Sequence, residues 1–349
     1  MSALTGPVHV IGAGVLGTSI GLACRRAGLT VYLSDIRRHH VRTAGGLGAG
    51  EAYSGQPVQL VVVAVPPDHL AETITAALLE GAVVTDVGSV KSEPLRQVQG
   101  DLHRYVGGHP MAGSERSGPL AANAGLFDGR PWAITPHDGS DPDAVELVTA
   151  LAELCGAVPL VMSPAEHDLA VARTSHLPHL LASLVAGRLA EAPPEHLALS
   201  GQGVRDVTRV AGGDPQLWQQ IVTANADAVL ALLEQVRDQL DTLMSAVGDR
   251  SRDDLVKVLQ AGVAGTRAIP GKHGGPVRPM RSVFVSVPDH PGELARLFAD
   301  AGASEVNIED VHIDHDPGRP VGLVELVVAE DRAEHLLTSL EARNWAVHR

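Results

Sequence analysis

A glycine motif near the start of the chain is the feature that most constrains the fold. Pro7-Val8-His9-Val10-Ile11 reads as a buried strand, and Gly12-x-Gly14-x-x-Gly17 follows it directly and opens a helical pattern. In such a motif the first glycine permits a tight turn, the second lets backbone approach a pyrophosphate, and the third lets helix and strand pack closely. The helix N-terminus then faces the phosphates. The motif predicts a dinucleotide-binding unit whose phosphate loop contains Gly12, Gly14, Val15, Leu16 and Gly17.

An acidic residue ends the second predicted strand. Asp35 stands about twenty residues after the glycine motif, where a carboxylate can accept hydrogen bonds from the adenosine ribose hydroxyls. The same charge repels a 2′-phosphate, so NAD is the expected cofactor. Arg37 and Arg38 follow closely and leave the tolerance of NADP open.

The first half of the chain alternates β-branched runs with helical patterns. This alternation predicts parallel strands joined by crossover helices, the α/β arrangement of a Rossmann-type domain. We place this NAD-binding domain at residues 1–163. The predicted strands are 8–12, 30–35, 60–65, 83–87, 105–107, 132–135 and 158–162.

The pattern becomes helical after Ser163-Pro164. Residues 165–190 carry leucines at helical spacing, and Pro178 within them predicts a kink. Residues 215–246 open with a first-turn proline and read as one long, leucine-rich helix, which is more typical of a packing surface than of a site. We therefore expect an all-α dimerisation and substrate domain at residues 164–265, and a homodimer.

A change of composition marks the C-terminal part. Residues 266–280 are rich in glycine, proline and basic residues, which predicts a linker. Beyond it, strand and helix patterns follow in the order strand, helix, strand, strand, helix, with room for a final strand. This βαββαβ order predicts a small α+β domain at residues 281–349.

Composition excludes several classes of protein. The chain has 349 residues, enough for two or three domains, and 27 Lys+Arg against 41 Asp+Glu give a net charge of −14. That charge argues against partners such as nucleic acid or an anionic membrane. The 2 cysteines suit a reducing compartment, no secretory signal is visible, and the apolar runs are too short to span a bilayer. We expect a cytoplasmic protein.

Two polar residues follow neighbouring strands of the predicted sheet. Ser89 comes after the strand 83–87, and His109 comes after the strand 105–107. The carboxyl ends of strands in such sheets line the ligand crevice. A neutral imidazole, with a pKa near ~6.5, can accept a hydroxyl proton while hydride leaves the same carbon. The pair predicts oxidation of an alcohol carbon, with His109 as the base and Ser89 hydrogen-bonded to substrate or nicotinamide.

Several short motifs occur in a fixed order along the chain. They are Gly88-Ser89-Val90-Lys91, His109-Pro110-Met111-Ala112-Gly113-Ser114-Glu115, Ser175-His176-Leu177-Pro178-His179, Gly203-Val204-Arg205-Asp206-Val207-Thr208-Arg209 and Trp218. As an ordered set they resemble the prephenate dehydrogenase (cyclohexadienyl dehydrogenase) family of tyrosine biosynthesis, over essentially the whole chain. The region 282–349 is similar to an ACT domain, a regulatory fold of amino-acid enzymes.

The resemblance implies a reaction and roles for residues. The expected activity is the NAD-dependent oxidative decarboxylation of prephenate to 4-hydroxyphenylpyruvate. His109 becomes the acceptor of the C4 hydroxyl proton, and Ser89 orients that hydroxyl. Arginine pairs strongly with carboxylates, and Arg209 is expected to bind one in the substrate. The other positions that match the family's substrate pocket are His179, Ser175, Ser114 and Glu115.

The ACT-like region provides a candidate effector pocket. A tight loop, Asp289-His290-Pro291-Gly292, precedes a helix whose free N–H groups can hold an amino-acid carboxylate. Asn307 and Ile308 lie at the start of the next strand. These two segments resemble the effector pocket of ACT domains, which is usually shared across a subunit interface. L-Tyrosine is the expected effector. The alternative that the domain binds no ligand and serves only for assembly stays open, as does the choice between a dimer and a tetramer.

Other functions were weighed. Oxidation of arogenate, or of 4-amino-4-deoxyprephenate, would use the same machinery on a different side chain. β-Hydroxyacid dehydrogenases share the glycine turn but lack His109-Pro110 and an ACT-like tail. A catalytically silent sensor of NAD and tyrosine is the alternative outside the enzymes, and intact Ser89, His109 and Arg209 argue against it. No metal site is expected, because strand alternation places His312 and His315 on opposite faces.

Overall fold

The computed structural model describes residues 4–112, 117–269, 279–315 and 321–348. The chain divides into two compact units, residues 1–242 and 243–349. The sequence analysis placed boundaries at 163, 265 and 280, and these finer divisions stay predictions.

An eight-stranded sheet, in the order β3-β2-β1-β4-β5-β6-β7-β8, forms the centre of the first unit. All seven predicted strands are present, and the two-residue β3 at the sheet edge was not predicted. Leu60 to Val63 of β4 have no exposed surface, as expected for a strand covered on both faces. The strands are β1 (Val8–Ile11), β2 (Val31–Ser34), β3 (Glu51–Ala52), β4 (Leu60–Val63), β5 (Val83–Asp86), β6 (Tyr105–Pro110), β7 (Pro131–Thr135) and β8 (Val158–Val161).

Two strands, β7 and β8, run opposite to the other strands of the predicted parallel sheet, because the direction changes between β6 and β7. β7 runs antiparallel to β6, with Gly107 opposite Thr135 and Pro110 opposite Trp132, whereas the other neighbouring strands are parallel. A parallel connection needs a crossover, usually a helix. Residues 117–130, the described part of the connection, contain only a short 3₁₀ turn at Pro119–Ala121, so the chain doubles back instead.

Five helices accompany the sheet. Each has buried residues, and α1 packs small residues closely on its neighbours, with Gly17 against Val10 and Gly12 and with Gly21 against Ala49. The helices are α1 (Val15–Arg26), α2 (Arg38–Gly46), α3 (Leu70–Leu78), α4 (Ser92–Gln97) and α5 (Pro142–Leu154).

The helical part differs from the prediction at one point and adds detail at another. Near the predicted kink at Pro178 the helix is continuous but irregular: α6 ends at Val171, a π-helical turn covers Ala172–His176, and Pro178 lies in the first turn of α7. The predicted single helix 215–246 is broken at Asn225, and the boundary between the two units falls within its second half. The helices are α6 (Pro164–Val171), α7 (Leu177–Leu189), α8 (Pro194–Leu197), α9 (Gln202–Arg209), α10 (Pro215–Ala224) and α11 (Ala226–Gly248).

The second unit contains the predicted βαββαβ order. Its antiparallel sheet has the order β10-β11-β9-β12, with both strand-connecting helices packed against it. The predicted linker 266–280 was too long at both ends, because α12 continues to Ala268 and β9 begins at Met280. The elements are α12 (Arg252–Ala268), β9 (Met280–Pro288), α13 (Glu293–Gly302), β10 (Ile308–His315), β11 (Val321–Ala329), α14 (Glu330–Glu341) and β12 (Ala346–His348).

Within the described residues, no helix combines the length and the apolar character that crossing a membrane requires.

The close approach of α1 to β1 predicts the effect of a single methyl group. A Cβ at position 17 would lie 1.9 Å from the Gly12 carbonyl oxygen, so Gly17→Ala forces the backbone apart. Overpacking of this kind costs about 1–3 kcal/mol, and we expect chemical denaturation to show that loss. Gly14→Ala is the matched control, because nothing lies within 4 Å of a Cβ there and the backbone φ is −81°. Equal stability of the two variants would contradict this account of packing.

Candidate active site

The turn between β1 and α1 has the shape that a pyrophosphate requires. Gly12 has a φ of +103°, and a Cβ there would lie 2.3 Å from the carbonyl oxygen of Ala64, so only glycine fits. Gly14 has open space where a Cβ would be, at the N-cap of α1. The α1 N-terminus and this open space fit the pyrophosphate of NAD. Val15 and Leu16 form the first turn of the helix, as predicted.

Asp35 is anchored to this turn. Its Oδ2 accepts a hydrogen bond from the Ala13 N–H at 2.8 Å, and its Oδ1 accepts one from the Arg37 N–H at 2.7 Å. Nδ1 of His40 lies 3.6 Å from Oδ2. The carboxylate is therefore held just beyond β2, beside the glycine turn, where the ribose of a dinucleotide binds in this fold. The residues present fit NAD.

A buried ionic cluster joins β5 to β6. The Lys91 ammonium donates to Asp86 Oδ2 and to the Gly108 carbonyl oxygen, the latter at 2.7 Å. Asp86 also accepts from the Gly88 N–H at 2.8 Å and from the Tyr105 hydroxyl at 2.9 Å. Lys91 is 1% and Asp86 0% exposed, so neither charge is solvated. The cluster fixes the backbone immediately before His109.

The cluster shifts the pKa of its members. Burial lowers the pKa of Lys91, and the negative charge of Asp86 opposes that effect. Burial, followed by the charge of Asp86, raises the pKa of Tyr105 well above its usual range. Tyr105 is therefore a neutral donor, and the ion pair carries the charges of the cluster.

His109 lies near the end of β6 and is partly buried. Its Nδ1 is 2.8 Å from Nε2 of His167 on α6. Burial lowers the pKa of His109 well below its usual value, and the positive charge of the nearby Lys91 lowers it further. The imidazole is therefore neutral at physiological pH, as a proton acceptor must be.

Ser89 lies between β5 and α4 and is partly buried. β5 and β6 are adjacent and parallel, with Thr85 opposite Val106, so the segments that follow them emerge at the same sheet edge. The structure thus brings Ser89 and His109 to one edge, as the sequence predicted. Beside them, the Lys91 and Ser92 N–H groups each donate to the Asp168 carboxylate at 2.8 Å, which ties α6 to this loop.

The predicted substrate residues of the helical part lie in two environments. His179 is buried and stacked on Trp218, with ring centroids 3.6 Å apart, and its Nδ1 is a buried atom without a hydrogen-bond partner among the described residues. Burial lowers the pKa of His179, and a hydrogen bond to the Val210 backbone opposes this. Ser175, one turn earlier, is exposed in the π-helical turn. A buried, unpaired ring nitrogen is suited to binding a polar ligand group.

Arg209 ends α9 and is exposed. The next residue, Val210, forms a backbone hydrogen bond with the His179 side chain. The Arg209 backbone is therefore close to His179. Ser114 and Glu115, the remaining predicted substrate residues, lie outside the described residues.

Two polar residues near the site, His167 and Asn225, were not predicted as site residues from the sequence. His167 contacts His109, and Asn225 donates from Nδ2 to the Asp168 carbonyl oxygen at 2.8 Å and to His176 Nδ1 at 3.2 Å. From the sequence, Glu166-His167-Asp168 is interpreted as an acidic helix start, with Asp168 bracing neighbouring parts of the chain and no role for His167. The contact between His167 and His109 spans 58 residues, and no local pattern indicates it.

The predicted effector segments do not form one pocket within a single chain. β9 ends at Pro288 opposite Val321, at the start of β11, whereas Ile308 is opposite Val328, near its end. The loop Asp289-His290-Pro291-Gly292 and the segment Asn307-Ile308 therefore lie at opposite ends of the sheet, roughly 20 Å apart at the usual rise per strand residue. One pocket containing both segments would require a second chain.

Two family models match this chain. Residues 20–161 match the nucleotide-binding domain of prephenate dehydrogenase, and residues 163–261 match its dimerization domain. A relative from Streptomyces niveus, named probable prephenate dehydrogenase NovF, is 38% identical over 353 residues, which is 96% of this chain and 98% of that protein.

The chain belongs to the prephenate dehydrogenase family. It is therefore an NAD-dependent oxidoreductase, as the sequence predicted. Among solved structures, prephenate dehydrogenase from A. aeolicus in complex with hydroxyphenyl propionate and NAD+ has a TM-score of 0.68 and 29% identity, covering 74% of this chain and 96% of that one. Synechocystis arogenate dehydrogenase has a TM-score of 0.64 and 28% identity, covering 74% and 98%.

The match to a family dimerisation domain indicates a homodimer. In agreement, large apolar side chains of the helical part are exposed in the single chain, at Leu184 and Val185 on α7 and at Leu230 and Leu240 on α11. Exposed apolar surface of this extent is typical of surfaces that another protein covers.

The ion pair predicts a large loss of stability on truncation. Lys91→Met leaves the Asp86 carboxylate buried without its cation, and breaking such a pair costs about 3–5 kcal/mol. Urea unfolding should show this loss. Lys257→Met is the control, because the Lys257 side chain is 74% exposed and removal of its charge should leave the unfolding midpoint unchanged. A midpoint for Lys91→Met equal to that of the control would show that the pair does not stabilise the fold.

Proposed function

We propose that this enzyme oxidises and decarboxylates prephenate to 4-hydroxyphenylpyruvate. The observation that carries the proposal is a neutral His109 at the carboxyl edge of the same sheet that bears the NAD turn. The Streptomyces niveus and A. aeolicus relatives, both named for this activity, support the choice of substrate.

The chemistry balances with the residues present. Bound NAD supplies the hydride acceptor. Ser89 holds the substrate C4 hydroxyl against His109, whose Nε2 takes the hydroxyl proton while hydride leaves C4. The bond between C1 and the ring carboxylate then breaks, carbon dioxide leaves, and the electron pair of that bond completes the aromatic ring as a phenolate. The phenolate oxygen takes back the proton from His109, which gives the phenol of 4-hydroxyphenylpyruvate. His109 is therefore neutral before and after each turnover and cationic only during it.

Binding of a dianionic substrate requires donors in the helical part. Arg209 pairs with one carboxylate, and charged hydrogen bonds of this type are the strong ones. His179, held flat by Trp218, presents its unpaired Nδ1, and Ser175 adds a hydroxyl one turn away. Ser114 and Glu115 stay predicted members of the same pocket.

Arogenate is the second candidate substrate. The Synechocystis structure is of an arogenate dehydrogenase, and its similarity to this chain is nearly that of the A. aeolicus structure. Arogenate carries an amino group where prephenate carries a keto group, so the two differ by one positive charge on the side chain. The cytoplasm, where prephenate and NAD are both available, is the proposed location.

The second unit is proposed to be an ACT domain that binds L-tyrosine. Its βαββαβ order, its antiparallel sheet and Gly292, at a φ of +96° before α13, support this assignment. Because the two effector segments lie at opposite ends of one sheet, tyrosine would bind between two chains and favour tetramers over dimers. Inhibition requires tyrosine to bind two conformations unequally.

The depressed pKa of His109 predicts the pH dependence of turnover. The group acts as a base only when neutral, and burial together with the charge of Lys91 favours the neutral form. The value of kcat/KM for prephenate should therefore hold as pH falls through 6.5 and decline only in more acidic buffer. His109→Asn should lower kcat by about 10²–10⁴ at neutral pH, where wild-type His109 is unprotonated, and should remove the acidic decline. A decline centred at or above 6.5 in the wild type would contradict the assigned environment.

The substrate assignment is tested by NADH formation with prephenate and, separately, arogenate, each with and without L-tyrosine. We expect prephenate to be turned over faster and tyrosine to inhibit. His290→Ala should abolish inhibition without changing basal turnover, because its site lies outside the catalytic unit. Faster turnover of arogenate than of prephenate would make arogenate the substrate. Equal inhibition of the wild type and His290→Ala would indicate that tyrosine binds in the active site and not in the second unit. If NAD binds but both substrates stay unreacted, the chain is a sensor or uses the amino-deoxy substrate.

A further inference from the structure

A hydrogen-bonded line of three side chains leads from the catalytic edge of the sheet into α6. His109 Nδ1 is 2.8 Å from His167 Nε2, and His167 Nδ1 is 2.8 Å from Asp168 Oδ1. We propose that His167 and Asp168 are positioning residues: they fix the tautomer of His109 and balance the charge that His109 acquires when it takes the substrate proton. The kinetic part of this proposal rests on the proposed function; the tautomer does not.

The direction of every hydrogen bond in the line follows from Asp168. Its carboxylate accepts from two backbone amides, of Lys91 and Ser92, each at 2.8 Å. Burial alone would raise its pKa, but the hydrogen bonds from His167, Ser92 and the two amides outweigh burial and the pKa is lowered. Asp168 is therefore ionised, and an ionised carboxylate only accepts.

His167 must donate to this carboxylate through Nδ1. Burial lowers the pKa of His167, more than Asp168 raises it, so the ring is neutral and carries one proton. With that proton on Nδ1, Nε2 of His167 is an acceptor. Among the residues that the structure describes, the group placed to donate to it, at 2.8 Å, is Nδ1–H of His109.

The lone pair of His109 is consequently on Nε2. A free neutral imidazole exchanges between two tautomers, and only one of them has its acceptor nitrogen turned away from α6. The line holds His109 in that tautomer before substrate arrives. It also aligns the ring, because rotation about the side chain would break the bond to His167.

The same line stabilises the cation formed during turnover. The nearby Lys91 ammonium disfavours a positive His109, and its own counter-charge, Asp86, is already used in the buried cluster. When His109 becomes cationic, its Nδ1–H bond to His167 becomes charge-assisted, and His167 is in turn polarised by Asp168. The proton stays on His109. His167 and Asp168 lower the free energy of the buried, positively charged imidazole.

The local structure keeps the line rigid. Ser163 and Glu166 form a reciprocal cap at the start of α6, which sets the first turn that carries His167. The Asp168 carboxylate binds the loop that follows Ser89, so one carboxylate positions both halves of the predicted catalytic pair.

Two substitutions of similar size separate the two ends of the line. In His167→Asn, the amide N–H lies near the former Nδ1 and can still donate to Asp168, but the side chain is too short to contact His109. In His167→Gln, the amide oxygen lies near the former Nε2 and can accept from His109, but the bond to Asp168 is lost. We expect kcat for His167→Asn to fall about 10- to 100-fold, the worth of a charge-assisted hydrogen bond, with KM for prephenate and NAD within about twofold. His167→Gln should recover part of the loss, because it holds the tautomer without transmitting charge. Ala170→Gln, at an exposed position of α6, is the control.

The tautomer is read without substrate by ¹⁵N NMR of the imidazoles, with the His109 signals identified by their absence in His109→Asn. We expect a protonated Nδ1 and an unprotonated Nε2 in the wild type, and loss of that preference in His167→Asn. An Nε2-protonated His109 in the wild type, or an unchanged kcat for folded His167→Asn, overturns the proposal. A wild type inactive with prephenate but showing the expected tautomer would overturn the proposed function and leave the hydrogen-bonded line standing.

Discussion

The Asp86–Lys91 ion pair is the interaction on which the catalytic edge of the sheet depends. Two opposite charges without solvent must be paired and hydrogen-bonded, or the fold is destabilised by several kcal/mol. Asp86, at the end of β5, therefore determines where Lys91 can lie, and Lys91 in turn holds the Gly108 carbonyl of β6. The loop that contains Ser89 is closed between these two points. A pair that sequence inspection treats as two ordinary charges thus sets the distance between two strands at the point where chemistry occurs.

As the proposed base, His109 needs surroundings that keep it neutral until substrate binds. Burial and the nearby Lys91 ammonium keep the proton off the ring at rest, which preserves the acceptor. The same surroundings would make the protonated state costly, and His167 with Asp168 reduces that cost. A base in water needs no such support, because solvent stabilises its neutral and its protonated form. A base enclosed by β6 and α6 depends on fixed neighbours to stabilise each form.

The predictable parts of the fold were those encoded locally. The glycine turn, Asp35 and the seven strands each follow from short-range sterics or periodicity, and the structure contains all of them. The antiparallel direction of β7 was missed because it depends on a connection whose described residues contain no α-helix, and apolar alternation does not report strand direction. The break at Asn225 was missed because one asparagine does not interrupt the helical spacing of apolar residues. The Asn225 side chain donates to the Asp168 carbonyl oxygen and to His176, and neither contact can be read from the local sequence.

The candidate site was predictable to a similar degree. His109 and Ser89 were found because strand ends converge at one edge of a parallel sheet. His167 was missed because its role arises from a contact between residues distant in the chain, and Lys91 because burial of a lysine cannot be read from its neighbours in sequence. Both cases have the same physical origin: tertiary packing decides which ionisable groups lose their water.

The separation of the two effector segments along the small sheet has a thermodynamic consequence. A ligand that touches both must be held by two molecules of the protein, so its binding energy also becomes association energy, and each process strengthens the other by the same factor. The sensitivity of such an enzyme to its effector would then rise with its own abundance. Dilution, with no change in the amino-acid sequence or in the catalytic edge, would weaken the response.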